Sequence, residues 1–159
     1  MGLDATVYCD CLERGRLRVP PRPEWNVYVG EEGARYPGVK AHNQQIAFDS
    51  WDLRVACEHE CGVLLHHHLG NIALIALFRK ILQPHADRLP VLTTKVIYSG
   101  THCGDFLATT QVEELAVEVE ILSRVLCAEP RDEQFLRDFE QQLRSLIECS
   151  RRVHKPIAF

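Results

Sequence analysis

The sequence predicts a single α+β domain spanning residues 1–159, mostly helical, with a small N-terminal β-sheet. Three observations carry this. The opening DATVYCD (residues 4–10) has Val7 and Tyr8 amid small residues, the composition of a strand. Stretches after Asn71, Thr110 and Pro130 repeat apolar residues at helical spacing. At 159 residues, 46% hydrophobic and 25% charged, the chain has an ordinary globular composition and the length to build one core.

In order along the chain, the first strand is followed by ERGRLRV and PPRPE, where three prolines in four residues exclude regular structure. Trp25 to Val29 (WNVYV) reads as a second strand, because aromatic and β-branched side chains suit a pleated surface. Residues 30–38 read as an exposed, mobile glycine-containing loop. Asn43 caps an expected helix over 44–57, with Ile46, Phe48, Trp51, Val55 and Cys57 as its apolar face. Cys61-Gly62 ends that element. Residues 63–69 suit either a short strand or the lead-in to the next helix. Gly70 breaks the chain before Asn71 caps a helix over 72–82, the most apolar stretch and the expected centre of the core.

Residues 90–98 (PVLTTKVIY) are ambiguous: β-branched content favours a strand, while Pro90 and Gly100 would also bracket a short helix. Thr110, Gln111, Val112 and Glu113 match a capping box, opening a helix with Val112, Leu115, Val119, Leu122 and Val125 on one face. The last helix turns Phe135, Phe139, Leu143, Leu146 and Ile147 inward and ends at Lys155-Pro156. Ile157 to Phe159 form an apolar tail expected to dock on the body.

A formal net charge of −4, with no concentration of Lys and Arg, argues against nucleic acid as a partner. The amino terminus lacks the basic start of a signal peptide, and the run 72–78 is far shorter than the ~20 residues of a membrane helix. The expectation is a cytoplasmic protein with no membrane association. Its seven cysteines (9, 11, 57, 61, 103, 127 and 149) are an odd number spread over the whole chain, and read first as thiols.

Three groups of residues are candidate sites. The first is a metal site: Cys9 and Cys11, with Cys57, His59 and Cys61, supply soft ligands of the kind zinc takes. Their spacing departs from the usual zinc knuckle, and buried cysteines are common as small hydrophobes. No cofactor is therefore favoured, with zinc the one these ligands allow. The second is Thr101-His102-Cys103-Gly104-Asp105, which contains the parts of an activated nucleophile. Adjacent residues seldom point at one another, so a turn tied by hydrogen bonds accounts for this loop more economically. The third is His66, His67 and His68, which with Glu58, His59 and Glu60 make the densest titratable cluster. The bland alternative is one histidine hydrogen-bonded in the core and two on the surface. Nucleotide-binding glycine motifs, a serine-hydrolase elbow and H-E-x-x-H are all absent: His59-Glu60 has no histidine partner at position 63.

The opening MGLDATVYCDC, the segment CEHECGVLLHHHLGNIALI, the loop KVIYSGTHCGDF and the closing KPIAF resemble a group of small uncharacterised bacterial proteins over nearly the whole length. The resemblance implies a free-standing bacterial cytoplasmic protein and carries no activity. By analogy with other small proteins, an immunity-type inhibitor of a toxin is one reading.

Function follows by elimination. Apolar periodicity accounts for most of the sequence and leaves no complete catalytic set, so the leading expectation is a non-enzymatic binding protein with a protein partner. The alternative is a small metal- or thiol-dependent hydrolase using His66, His68, His102, Cys103 and Asp105, with Glu58 or Glu60 as base. A third is a small-ligand sensor with residues 100–105 as its pocket, involving Thr101, His102 and Asp105.

Overall fold

The computed structural model describes residues 2–101, 104–128 and 134–159. Strands β1 (Gly2–Tyr8), β4 (Val63–Asn71), β5 (Phe106–Leu107) and β6 (Ile157–Ala158) form a four-stranded antiparallel sheet in the order β4-β1-β6-β5. A second, two-stranded sheet pairs β2 (Tyr28–Val29) with β3 (Arg35–Tyr36). Four helices complete the fold: α1 (His42–Arg54), α2 (Ile72–Leu82), α3 (Thr109–Ala128) and α4 (Gln134–Val153). The fold is α+β, as the sequence predicts. Its main sheet, however, gathers strands from the whole length of the chain rather than from the amino terminus alone.

β1 organises the sheet. Leu3, Ala5 and Val7 alternate with more exposed neighbours and are fully buried, the period-two signature of a strand with one covered face. They pack in one cluster with Ile75, Phe78 and Leu82 of α2 and with Leu136, Phe139, Leu143 and Leu146 of α4. Phe78 and Phe139 lie 4.5 Å apart at the centre of this cluster. α3 and α4 run antiparallel, held on the outside by Arg151–Glu113 and Arg144–Glu120 ion pairs.

Several expected elements form as read. Asn71 Oδ1 accepts the Leu74 N–H at 2.9 Å, capping α2. Residues 63–69, which the sequence leaves open between a strand and the lead-in to α2, are a strand that extends to Asn71. The apolar tail becomes β6, an interior strand between β1 and β5, with Ile157 buried.

Other expectations are corrected. Trp25 lies in a 3-10 turn (Pro23–Trp25), its ring packed edge-on to Phe48 and tilted against Trp51, so only Tyr28–Val29 is strand. The glycine loop 30–38 is a hairpin: Gly30 N–H reaches Ala34 carbonyl at 2.8 Å and Arg35 is buried. α1 begins at His42 with Ala41 in the cap position, while Asn43 Oδ1 only accepts from the next residue, Gln44 N–H. It ends at Arg54, because Val55 and Ala56 both turn their N–H groups onto Trp51 carbonyl. Ile46 and Val55 consequently face solvent instead of the core.

Residues 90–96 are helical rather than extended, a turn that widens over Leu92–Val96, and residues 97–98 bend away from it. Its free N–H groups at Val91 and Leu92 are taken by the Glu118 carboxylate of α3 at 2.8 and 2.7 Å, a cap supplied from a distant element. At the start of α3, the Gln111 side chain accepts the Ala108 N–H at 3.0 Å. Glu113, the expected partner in a Thr110 capping box, binds Arg151 instead. Pro130, the expected lead-in to α4, lies outside the described residues.

Candidate metal centre

Immediately after β1 the chain leaves the sheet, and Cys9 and Cys11 turn inward, each 5% exposed. The turn is built locally. Arg14 and Arg16 both pair with the Asp10 carboxylate, Arg14 N–H donates to Asp10 carbonyl, and Arg16 N–H donates to Cys11 carbonyl at 2.7 Å. The segment that follows runs beside the end of α1, where Arg18 N–H reaches Ala56 carbonyl at 2.8 Å. One residue later comes Cys57, also buried, and then His59. A bond from Cys9 N–H to Gly62 carbonyl at 2.7 Å locks the two segments together.

The four side chains converge. The sulfurs of Cys9 and Cys57 are 3.9 Å apart, Cys11 sulfur is 3.6 Å from His59 Nδ1, and Cys57 sulfur is 3.9 Å from the same nitrogen. All four donor atoms lie within 4.8 Å of one another. Three sulfurs and one imidazole nitrogen at this spacing could hold a metal ion. Cys61 is excluded from the group. It is exposed and sits in a left-handed turn at φ 49°, so His59 takes the fourth place instead.

Arg35 covers the centre from β3. Its Nη1 donates to Cys57 sulfur at 3.6 Å, its Nε lies 2.7 Å from Asp52 Oδ1, and its guanidinium stacks 5.6 Å above the Trp51 ring. Glycine at position 62 leaves room for this approach. A Cβ there would stand 2.7 Å from Arg35 Nη2, and φ is +69°. Burial drives the Cys9 thiol up to about 12 and raises that of Cys11. At Cys57 burial pulls the same way, but the backbone at His59 and the Arg35 guanidinium outweigh it and the thiol is lowered.

The remaining candidates are not brought into this centre. His67 points inward, where its Nε2 lies 2.7 Å from Ser145 Oγ, and burial lowers its imidazole below the ordinary value. Ser145 Oγ also lies 2.8 Å from Gln142 carbonyl. His66 and His68 are exposed on the opposite face of the sheet. His68 Nδ1 lies 2.8 Å from Asp4 Oδ1 and His66 Nδ1 lies 3.1 Å from Thr6 Oγ1. This is the arrangement of one histidine inside and two outside. Glu58 and Glu60 are exposed, Glu58 3.7 Å from His59 Nε2.

His102 and Cys103 lie outside the described residues. Around them, Thr101 is exposed, Gly104 N–H donates to Phe159 carbonyl at 2.9 Å, Asp105 carbonyl accepts Phe159 N–H at 2.8 Å, and Tyr98 hydroxyl donates to the Asp105 carboxylate. These bonds fasten the loop to the C-terminal strand. Beside it is a hollow of about 420 Å³ lined by Thr94, Lys95, Tyr98 and Asp105.

Sequence reasoning missed Arg35, Asp52 and Gly62, the shell around the centre. Nothing in a short glycine-rich loop marks its one arginine as buried. The ligands themselves did carry a signal: Cys9-x-Cys11 and Cys57-x-His59 have the same one-residue gap. No family model, curated protein or solved structure matches this chain. Among the described residues, no helix is long and apolar enough to cross a membrane.

Proposed function

We propose that this chain is a non-enzymatic binding protein whose binding surface is stapled by one structural zinc ion, held by Cys9, Cys11, Cys57 and His59. The spacing of the four donors carries the reading. Zinc bonds of about 2.3 Å to sulfur and 2.0–2.1 Å to nitrogen, set tetrahedrally, separate neighbouring sulfurs by about 3.8 Å and a sulfur from a nitrogen by about 3.6 Å. Three of the six separations, 3.9, 3.6 and 3.9 Å, come within about 0.3 Å of that figure, and all six lie within 4.8 Å.

Four protein ligands fill a tetrahedral shell and leave no position for substrate or water, which favours structure over catalysis. Three thiolates around a divalent ion leave one negative charge, and the Arg35 guanidinium beside Cys57 offsets it. The same ion would tie the segment after β1 to the end of α1, two stretches 48 residues apart. An immunity-type inhibitor and an accessory factor are both proteins of this binding kind.

Cobalt(II) titration tests the centre. One equivalent should produce the intense visible bands of tetrahedral thiolate coordination, and zinc should bleach them. Cys57→Ser should lose the spectrum while Cys61→Ser keeps it. A weak octahedral spectrum in the unaltered protein, or dependence on Cys61, would contradict the assignment.

A further inference from the structure

One groove in this molecule has a chemistry opposite to that of the whole. It lies between the segment after Arg18 and the C-terminal half of α1, and its volume is about 310 Å³. Val19, Pro20 and Val55 form its apolar walls, and the buried rings of Trp25 and Trp51 lie at its base. Val19 and Val55 are 45% and 44% exposed. Beside the groove on α1, Ile46 and Leu53 are exposed as well, one above the other at seven-residue spacing. Apolar side chains gathered in solvent around a concavity are what an interaction site presents.

Charge indicates the occupant. Arg22 and Arg54 both line the groove, and no aspartate or glutamate does. Neither arginine forms an ion pair among the described residues, although the chain as a whole carries a net charge of −4. The Arg22 guanidinium lies 5.3 Å above the Trp25 ring, which holds the cation at the rim. A cavity of this volume takes one or two side chains, the size of an anchor pocket at a protein interface.

From this we infer that the groove is a docking site for a segment of another protein that inserts an apolar or aromatic anchor between the tryptophans and sets acidic residues against Arg22 and Arg54. This rests on the binding-protein reading above and supplies the surface and the partner chemistry that reading lacks. It also gives the metal centre a purpose. Ala56, which accepts the N–H of Arg18, separates the groove wall at Val55 from the ligand Cys57. Closing the centre therefore fixes both walls.

The test is selection of short random peptides displayed on phage against the full chain purified without chelator, followed by fluorescence anisotropy of the enriched peptides. The result expected is a consensus of one apolar or aromatic anchor flanked by Asp or Glu. Binding should weaken about tenfold or more in the folded Arg22→Glu/Arg54→Glu variant, since like charges across an interface repel. Ala47→Trp, which fills the groove, should abolish it, and an unchanged melting temperature in each variant shows that the fold is intact. Four results would overturn the assignment: no enriched peptide, enriched peptides without acidic residues, affinity indifferent to both variants, or groove-dependent binding of a single-stranded oligonucleotide or of a second copy of the chain instead. Zinc measured on the same samples separates the two readings. Zinc present without peptide binding removes the groove alone, and peptide binding without zinc removes the metal centre alone.

Discussion

Glu118 shows how much of this fold depends on single buried polar groups. It projects from α3 into the main core and accepts the N–H groups of Val91 and Leu92. Replacing it with alanine leaves two inward-facing donors without a partner, at about 1–3 kcal/mol each. Glu118→Gln keeps one acceptor oxygen and should lose less, a difference that urea unfolding can measure. The pH dependence has a definite sign. Burial raises the folded-state pKa of Glu118 above the ordinary 4.5 of a glutamate despite the two backbone bonds. Between 4.5 and that higher folded value, the folded state binds more protons than the unfolded state, so stability falls as pH rises through the window. Relative to Glu118→Gln, the natural protein should lose stability as pH climbs above 4.5. A parallel pair of curves would contradict this.

Cys61 makes a complementary test at the same scale. It is exposed and outside the cluster, so Cys61→Ser should leave stability within about 0.5 kcal/mol. In metal-loaded protein its thiol should alkylate before those of Cys9, Cys11 and Cys57, which should resist until chelator is added. Mass spectrometry after brief labelling reads the order directly.

Elements were legible in the sequence where a local cause sets them. α2 has its cap at Asn71 and a dense apolar run, and both appear in the structure. Asn71→Ala should accordingly cost about 0.5–2 kcal/mol, read as a lowered urea midpoint with unchanged slope. The helical turn at 90–96 was ambiguous because its decisive cap, Glu118, lies 26 and 27 residues away. The hairpin of β2 and β3 was missed for a similar reason. Burial of Arg35 against Asp52 and Cys57 draws β3 into place, and neither partner is near it in sequence. The metal centre fell between these cases: all four ligands were visible as candidates. Spacing weighed against them because each pair is closed by a second pair 48 residues away rather than within one tight turn. Cys61 looked like a ligand by spacing alone, but the left-handed turn before Gly62 takes it outward.

At the scale of the whole molecule, three buried clusters share the chain: the main core, the aromatic group of Trp25, Phe48 and Trp51, and the three cysteines between them. The main core closes on itself through β6. Ile157→Ala should cost about 2–5 kcal/mol, the ordinary loss for truncating a fully packed isoleucine. Deleting residues 156–159 should be worse, because it leaves both β1 and β5 with an unpaired edge; loss of cooperative thermal unfolding would show it. The aromatic group meets the cysteine cluster through Leu17. The segment after β1 is tied to the rest by the Lys155–Glu13 ion pair and the bonds from Cys9 to Gly62 and from Arg18 to Ala56. Metal at that junction would hold the two bodies together, with a binding energy that is folding energy.

Elemental mass spectrometry of tag-free protein purified without chelator measures this most directly, with Cys57→Ser and Cys61→Ser prepared alongside. The proposed zinc centre predicts about one zinc per chain in the natural protein and in Cys61→Ser, and none in Cys57→Ser. Natural protein that folds without bound metal and does not take up zinc when it is supplied would contradict the assignment. So would zinc retained in full by Cys57→Ser.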